Sequence, residues 1–377
     1  MRRTFDVAVV GAGVVGTGVA WRCARRGLSV IVIDESPGRG SSWAAAGLLA
    51  PITEAHYGEE VLLQLNVASS EMYPAFLEEL AVHSDTDVHY ARCGTLLVAR
   101  DGDENAALDD VFAYQQRLGL KARRVRGSEC RAIEPALAPG TRGGILVESD
   151  HQLDNRALVR ALGEACRKTG ATMETAVVTE VEVTGDRASG VLLATGESII
   201  AGSVVIAAGS RSGTLGGVPA SEFPLRPVKG QLVHLRAPEG TRLVTHNVRG
   251  FDCYVLDRGD GRVVLGGTVE ERGYDDRVTF AAVHDLLRDG YELLPGLYDY
   301  EFVETAVGFR PGTPDNAPIL GPTSIEGLVA ATGHFRNGFL LAPITAIALE
   351  RLLVDGLTDE RIAPFTPTRF IREAVHS

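Results

Sequence analysis

The stretch from Asp6 to Glu35 constrains this chain more than any other. Asp6-Val7-Ala8-Val9-Val10 is a short apolar run with β-branched residues, the pattern of a buried parallel strand. Gly11-Ala12-Gly13-Val14-Val15-Gly16 follows at once with G-x-G-x-x-G spacing. A helical pattern runs from Val14 to Arg26, with Gly16, Val19, Ala20, Cys23 and Ala24 on one face and Gly27 at the C-cap position. A second apolar strand, Ser29 to Ile33, ends in Asp34 and Glu35. The order strand, glycine turn, helix, strand, acid is the context of a dinucleotide site. Gly11 permits the tight turn, Gly13 lets a pyrophosphate approach the backbone, and Gly16 lets helix and strand pack closely. The helix start at Val14 and Val15 offers free N–H groups and a partial positive charge. Asp34 is placed to accept from the adenosine ribose hydroxyls, with Glu35 beside it. An acid there disfavours a 2′-phosphate, so NADP is not expected; NAD and FAD both remain open at this point.

A chain of 377 residues has room for a large core and two domains. Its net charge of −12 argues against nucleic acid as a partner. The basic cluster Arg117, Lys121, Arg123, Arg124, Arg126 and Arg131 reads as a solvated helix-and-loop face. Five widely spaced cysteines (23, 93, 130, 166 and 253) form no metal or disulfide pattern, so no metal is expected and a reducing, cytoplasmic location is. Met1-Arg2-Arg3 before an apolar run has the look of a signal peptide, but the run is short and enters the glycine turn. No apolar stretch approaches the ~20 residues of a membrane span.

Downstream, Ser41-Ser42-Trp43-Ala44-Ala45-Ala46-Gly47-Leu48 is a run of mainly small residues, suited to chain lying flush against a flat cofactor; an alanine-rich helix start is the alternative. Helices are expected near 59–83, 104–119, 156–169, 278–293 and 342–354. Strands are expected at 88–90, 94–99, 145–147, 176–183, 188–193, 203–209, 230–235, 253–256, 262–266, 302–310 and 328–331. Ser203 to Gly209 ends in small residues like the first strand, which places Gly209 near the cofactor. The expected fold is α/β with an α+β insert. A Rossmann-like domain with a central parallel sheet (1–83, 149–220, 304–377) is interrupted by an antiparallel substrate domain (84–148, 221–303).

Gly327 to Pro343 reads as strand, glycine-rich loop and helix, with Pro343 in the first helical turn. This brings a second helix N-terminus to the cofactor, which suits the negative charge of a reduced flavin and tips the balance from NAD to FAD.

With these motifs in place, the whole chain resembles the D-amino-acid oxidase family of flavoproteins, and within it the glycine oxidases of thiamine biosynthesis. The resemblance rests on Gly11 to Gly16, Ala44 to Gly47, Pro227-Val228-Lys229-Gly230, Gly308-Phe309-Arg310-Pro311-Gly312-Thr313 and Gly333 to Pro343. It implies non-covalent FAD, held by the glycine turn, Asp34, Glu35, Ser41, Ser42, Ala46, Gly47, Leu48, Val178, Gly209 and the loop His334, Phe335, Arg336, Asn337, Gly338, Phe339 and Leu340. It implies that Arg310 holds the substrate carboxylate, that Tyr254 bonds the same carboxylate, and that Arg336 lies near flavin and substrate. Asp252, Val269, Trp43 and Asp34 depart from the family pattern, the first two in the substrate region. The implied reaction is oxidative deamination of glycine, and of small amines such as sarcosine or D-alanine. Hydride passes to flavin N5, giving imine or glyoxylate, ammonia and hydrogen peroxide, with the imine supplied to the thiamine thiazole. A homotetramer is implied as well. Rival readings are a sarcosine or D-amino-acid oxidase, a dehydrogenase passing electrons to a quinone, and a non-catalytic or tRNA-modification flavin module.

Overall fold

The structure, a computed structural model, describes residues 3–374. Two eight-stranded sheets organise them. The first runs Ile319–Pro322, Leu328–Thr332, Ser198–Ile206, Arg3–Val10, Val30–Asp34, Thr172–Thr175. Its last five strands are mutually parallel. The hairpin Val178–Thr184 and Arg187–Leu193 adds antiparallel to Ser198–Ile206. Both faces are covered. Val7, Val9, Val30 and Val32 pack with Trp21, Leu158 and Leu349 of the helices Val14–Arg25, Asn155–Lys168 and Ala342–Asp355. Ala8, Val10, Ile31 and Ile33 pack with Val181, Val191 and Phe223 on the other face. Burial on two faces is why the first strand reads as a continuous apolar run.

The second sheet has the order Glu301–Gly312, Arg226–Arg236, Arg262–Gly266, Tyr254–Asp257, Asn247–Arg249, Thr95–Ala99, Gly143–Val147, Arg123–Arg126. Here the residues alternate. Val233, Leu235, Val255, Val263 and Leu265 meet Leu286 and Leu293 of the helix Phe280–Leu293. Leu232, Leu256 and Val264 face the other way, onto Ala46. This second face looks toward the first sheet, and the site lies there.

Several expectations need correction. The sheet is not wholly antiparallel: Asn247–Arg249 pairs parallel with Thr95–Ala99, because the two inserted segments meet here after separate excursions through the first sheet. Residues 88–90 form no strand. His89 has φ 48°, and backbone pairing with the neighbouring segment is limited to Val88 O accepting from Asp154 N and a bridge at Ala91. The basic stretch is not only helix and loop: Arg123–Arg126 is an edge strand, and Gly127–Ile133 a helix. Charged side chains suit an edge strand, and Arg124 folds back to Asp109, Asn105 and the Gly144 carbonyl. Residues 311–322, where no strand was expected, contain the strand Ile319–Pro322. The expected domain boundary at 303/304 falls inside the strand Glu301–Gly312. Met1 and Arg2 lie outside the described residues. No described helix is long and apolar enough to cross a membrane.

Candidate active site

A cavity of about 840 Å³ lies between the carboxyl ends of the parallel strands and the facing side of the second sheet. Its volume is within the usual range for a ligand site. Gly11, Gly13, Val14, Val15, Asp34, Glu35, Ser41, Ser42, Ala46, Gly47, Leu48, Val178 and Gly209 all line it. So do His334, Phe335, Arg336, Gly338 and Phe339, together with Tyr254 and Arg310. Gly16, Asn337 and Leu340 are buried but do not line it.

The glycine turn divides into two jobs. Gly11 has φ 109°, and a Cβ there would overlap the Ala207 carbonyl; a Cβ on Gly16 would overlap the Gly11 carbonyl. Those two glycines serve the fold. Gly13 has φ −79° and ψ −177°, which any residue adopts, and a Cβ would meet only Ser42 Oγ at 2.9 Å. Gly13 keeps the cavity open. Val14 N–H donates to Ser42 Oγ at 3.0 Å, and the hydroxyl keeps its own proton to donate onward. Asp34 accepts from Ala12 N–H and Ser36 N–H, each at 2.7 Å. Each oxygen retains a second acceptor position, and Glu35 lines the cavity beside it. The cradle fits an adenosine diphosphate: a bare helix start, small residues, hydroxyls and two acids where a ribose would sit.

The segment after it is neither all helix nor all loop. Ser41–Ala44 makes one helical turn, then Ala45 extends at φ −74° and ψ 158°. Trp43 does not line the cavity; its ring sits between the guanidiniums of Arg39 and Arg156, at 3.9 and 4.1 Å. Arg258 on the second sheet donates to the Ala46 carbonyl and, at 2.6 Å, to the Leu153 carbonyl, tying the small-residue segment to the sheet.

At the other end, register brings the polar groups together. Arg249 stands opposite Tyr254, Tyr254 opposite Gly266, Gly266 opposite Leu232, and Val228 opposite Arg310. Paired and alternate residues share one sheet face, so Arg249, Tyr254 and Arg310 project from the same side. A Cβ on Gly230 would overlap the Arg310 guanidinium, so that glycine is the space Arg310 occupies. The Arg310 hydrogen bonds go to backbone carbonyls, Thr268 at 2.9 Å and Lys229 at 3.5 Å, and among the described residues no carboxylate pairs with it. Burial raises the Tyr254 phenol to about 12; the Arg310 charge opposes the rise and the Glu54 charge adds to it. Tyr254 is therefore a neutral donor at working pH. Binding of a simple carboxylate such as methoxyacetate, titrated upward from neutral pH, should hold until the pH approaches 12. A fall near 10, the ordinary phenol value, would contradict this.

Arg336 lines the cavity and pairs with Glu59. His334 meets Thr345 Oγ1 at 3.0 Å, and burial lowers it to about 3, so it orders the loop as a neutral ring. Asp252 does not reach the cavity: it pairs with Arg100 at 2.5 Å, in a cluster with Glu104, Asp289 and Glu292 that anchors the turn before Tyr254. Val269 is 69% exposed and does not line the cavity. Sequence reasoning missed Glu54, Arg249, Arg258 and Tyr274. Tyr274 hangs from a loop of the second sheet, donates to the Ser210 carbonyl at 2.8 Å and packs edge-on to Phe309. None of the four belongs to a motif; register and loop path bring Glu54 and Tyr274 to line the cavity, and set Arg249 and Arg258 against its wall, on Glu54 and on the Ala46 carbonyl.

The family described as FAD dependent oxidoreductase matches residues 6–352. The chain is 31% identical to glycine oxidase of Geobacillus kaustophilus over 98% of both proteins. The crystal structure of glycine oxidase from that organism superposes with a TM-score of 0.89, covering 97% of this chain and 99% of the other. The chain is 32% identical to the bifunctional protein ThiO/ThiG of Synechocystis, matching 98% of its own length but spanning only 55% of that relative. An iminodiacetate oxidase structure from Chelativorans matches at 28% identity and a TM-score of 0.85, covering 96% of this chain and 98% of the other. The chain belongs to the D-amino-acid oxidase (DAO) family of FAD-dependent oxidoreductases.

Proposed function

We propose that the protein oxidises glycine and other small amines such as sarcosine and D-alanine. The observation that carries this is the Arg310 guanidinium, without a carboxylate partner among the described residues, beside the Tyr254 phenol on the sheet face that lines the cavity. A planar fork matches a carboxylate bidentately, and the phenol adds a third donor. Together they fix the carboxylate end of the substrate and with it where Cα lies. When bound, FAD would supply the hydride acceptor and the reducing power that turns oxygen into hydrogen peroxide. The chain contributes orientation and a water-poor wall of Leu232, Leu48 and Phe309. No base is required of it if the amine enters neutral, and His334, bound to Thr345, is not one. The imine product hydrolyses to glyoxylate and ammonia, or passes to thiazole assembly. A cytoplasmic location and a homotetramer belong to the same proposal; the five free cysteines suit a reducing compartment.

The test mixes the yellow protein, without air, with glycine, sarcosine and D-alanine, and follows the visible flavin band. Bleaching followed by peroxide on admitting air supports an oxidase. Bleaching without peroxide makes it a dehydrogenase for another acceptor. No bleaching by any amine sinks the amine-oxidising reading.

A further inference from the structure

The substrate end of the cavity holds more charge than one carboxylate needs, and the way that charge is neutralised bears on which amines fit. Two guanidiniums, Arg310 and Arg336, line it, and a third, Arg249, reaches Glu54 in its wall. Arg310 has no acidic partner among the described residues. Arg249 projects from the Tyr254 face, and its Nη1 meets Glu54 Oε1 at 2.8 Å. Arg336 pairs with Glu59, which Asn316 Nδ2 also holds at 3.0 Å. Three cations and two anions leave one net positive charge, carried by Arg310.

Glu54 is held firmly in this position. Asp150 accepts from the N–H groups of Ile52 (3.1 Å) and Thr53 (3.0 Å), fixing the turn just before it. The side chains of Glu54 and Arg249 are only 16% and 20% exposed. Glu54 lines the cavity together with Tyr254 and Arg336. The charges of Glu54 and Arg249 both reach the Tyr254 phenol, Glu54 raising its pKa and Arg249 lowering it.

We propose that Glu54 is a specificity residue: by neutralising Arg249 and facing the cavity with its carboxylate, it limits the pocket to amines with a single carboxylate. This rests on the amine-oxidising reading above. In that reading the first carboxylate goes to Arg310. A second carboxylate, carried on the amine nitrogen, then meets Glu54 instead of a free cation. Like charges brought together in a partly desolvated pocket are strongly disfavoured. With Glu54 neutral, Arg249 becomes available and the balance changes from one positive charge to two.

The clean probes are ether analogues that cannot be oxidised as amines. Methoxyacetate mimics sarcosine, with one carboxylate; oxydiacetate mimics iminodiacetate, with two. Binding is read from perturbation of the flavin spectrum of the holoenzyme and, independently, from the ligand-induced shift in melting temperature. The native protein should bind oxydiacetate about tenfold or more weaker than methoxyacetate. Glu54→Gln, which keeps the shape, should shrink that ratio by about tenfold. Arg249→Gln leaves Glu54 unneutralised, so it should weaken methoxyacetate and leave oxydiacetate no better. Equal binding of the two ligands by the native protein overturns the proposal, and this arm needs no variant. Failure of the native protein to bind either ligand also overturns it, as does a ratio that Glu54→Gln leaves unchanged. Should no amine bleach the flavin while the ligand ratio still shifts with Glu54, the proposed reaction fails and the charge selection stands.

Discussion

Replacing Arg310 with alanine is expected to raise KM for glycine by about a hundredfold to a thousandfold while changing kcat far less. The guanidinium offers two parallel donors to a carboxylate, and each charge-assisted bond contributes about 1.5–3 kcal/mol. The carboxylate takes no part in bond breaking, so these contacts are equally strong in ground and transition states, and their loss falls on KM. Arg310→Lys should land between, because it keeps the charge and loses the fork. Gly230→Ala gives an independent check: its methyl would claim the space of the guanidinium, so KM should rise with Arg310 still present. Steady-state kinetics on flavin-loaded protein reads all three. An unchanged KM in Arg310→Ala would remove the carboxylate anchor from the proposal.

Gly13→Val should yield folded, colourless protein. The backbone at Gly13 is extended, and the added side chain meets nothing but the tip of Ser42. The fold therefore tolerates it, and the diphosphate does not. Overpacking of this kind costs about 1–3 kcal/mol, so affinity for FAD should fall by about a hundredfold. Added FAD should raise the melting temperature of native apoprotein and leave that of the variant nearly unmoved. Gly11→Val is the contrast. With φ 109° and the Ala207 carbonyl in the way, it should fail to fold whether or not FAD is supplied. Full flavin loading of Gly13→Val would show that the pyrophosphate is bound elsewhere.

Much of this architecture was legible because the relevant interactions are local. The first helix and the second strand were placed within a residue of Val14–Arg25 and Val30–Asp34, while the first strand, expected from Asp6, starts three residues earlier at Arg3 and ends at Val10 as expected. The helix expected near 156–169 is Asn155–Lys168, and it begins where Asp154 caps it by accepting from Ala157 N–H at 3.0 Å, an interaction three residues long. The basic edge strand Arg123–Arg126 was misread because its pairing partner lies seventeen or more residues downstream, at Gly143–Leu146. Asp252 looked like a substrate-region change, and in space it belongs to the ionic cluster around Arg100.

By itself the sequence determined that a dinucleotide cradle forms at Gly11 to Gly16, that a second strand-loop-helix closes on the cofactor, and that Arg310 and Tyr254 are the residues to watch. The first two follow from backbone sterics, periodicity and motif spacing, which act over a few residues; Arg310 and Tyr254 come from the resemblance to the family. Only the tertiary structure decided that Gly11 and Gly16 are held to glycine by neighbouring backbone, whereas a Cβ on Gly13 would meet only Ser42 at the edge of the cavity. It also decided that Arg249 stands beside Tyr254 and that Glu54 neutralises it. Those facts depend on strand register and on a loop path that crosses between sheets. Residues 54 and 249 are nearly two hundred positions apart, so no local pattern connects them, and their charges interact only once the two sheets face each other.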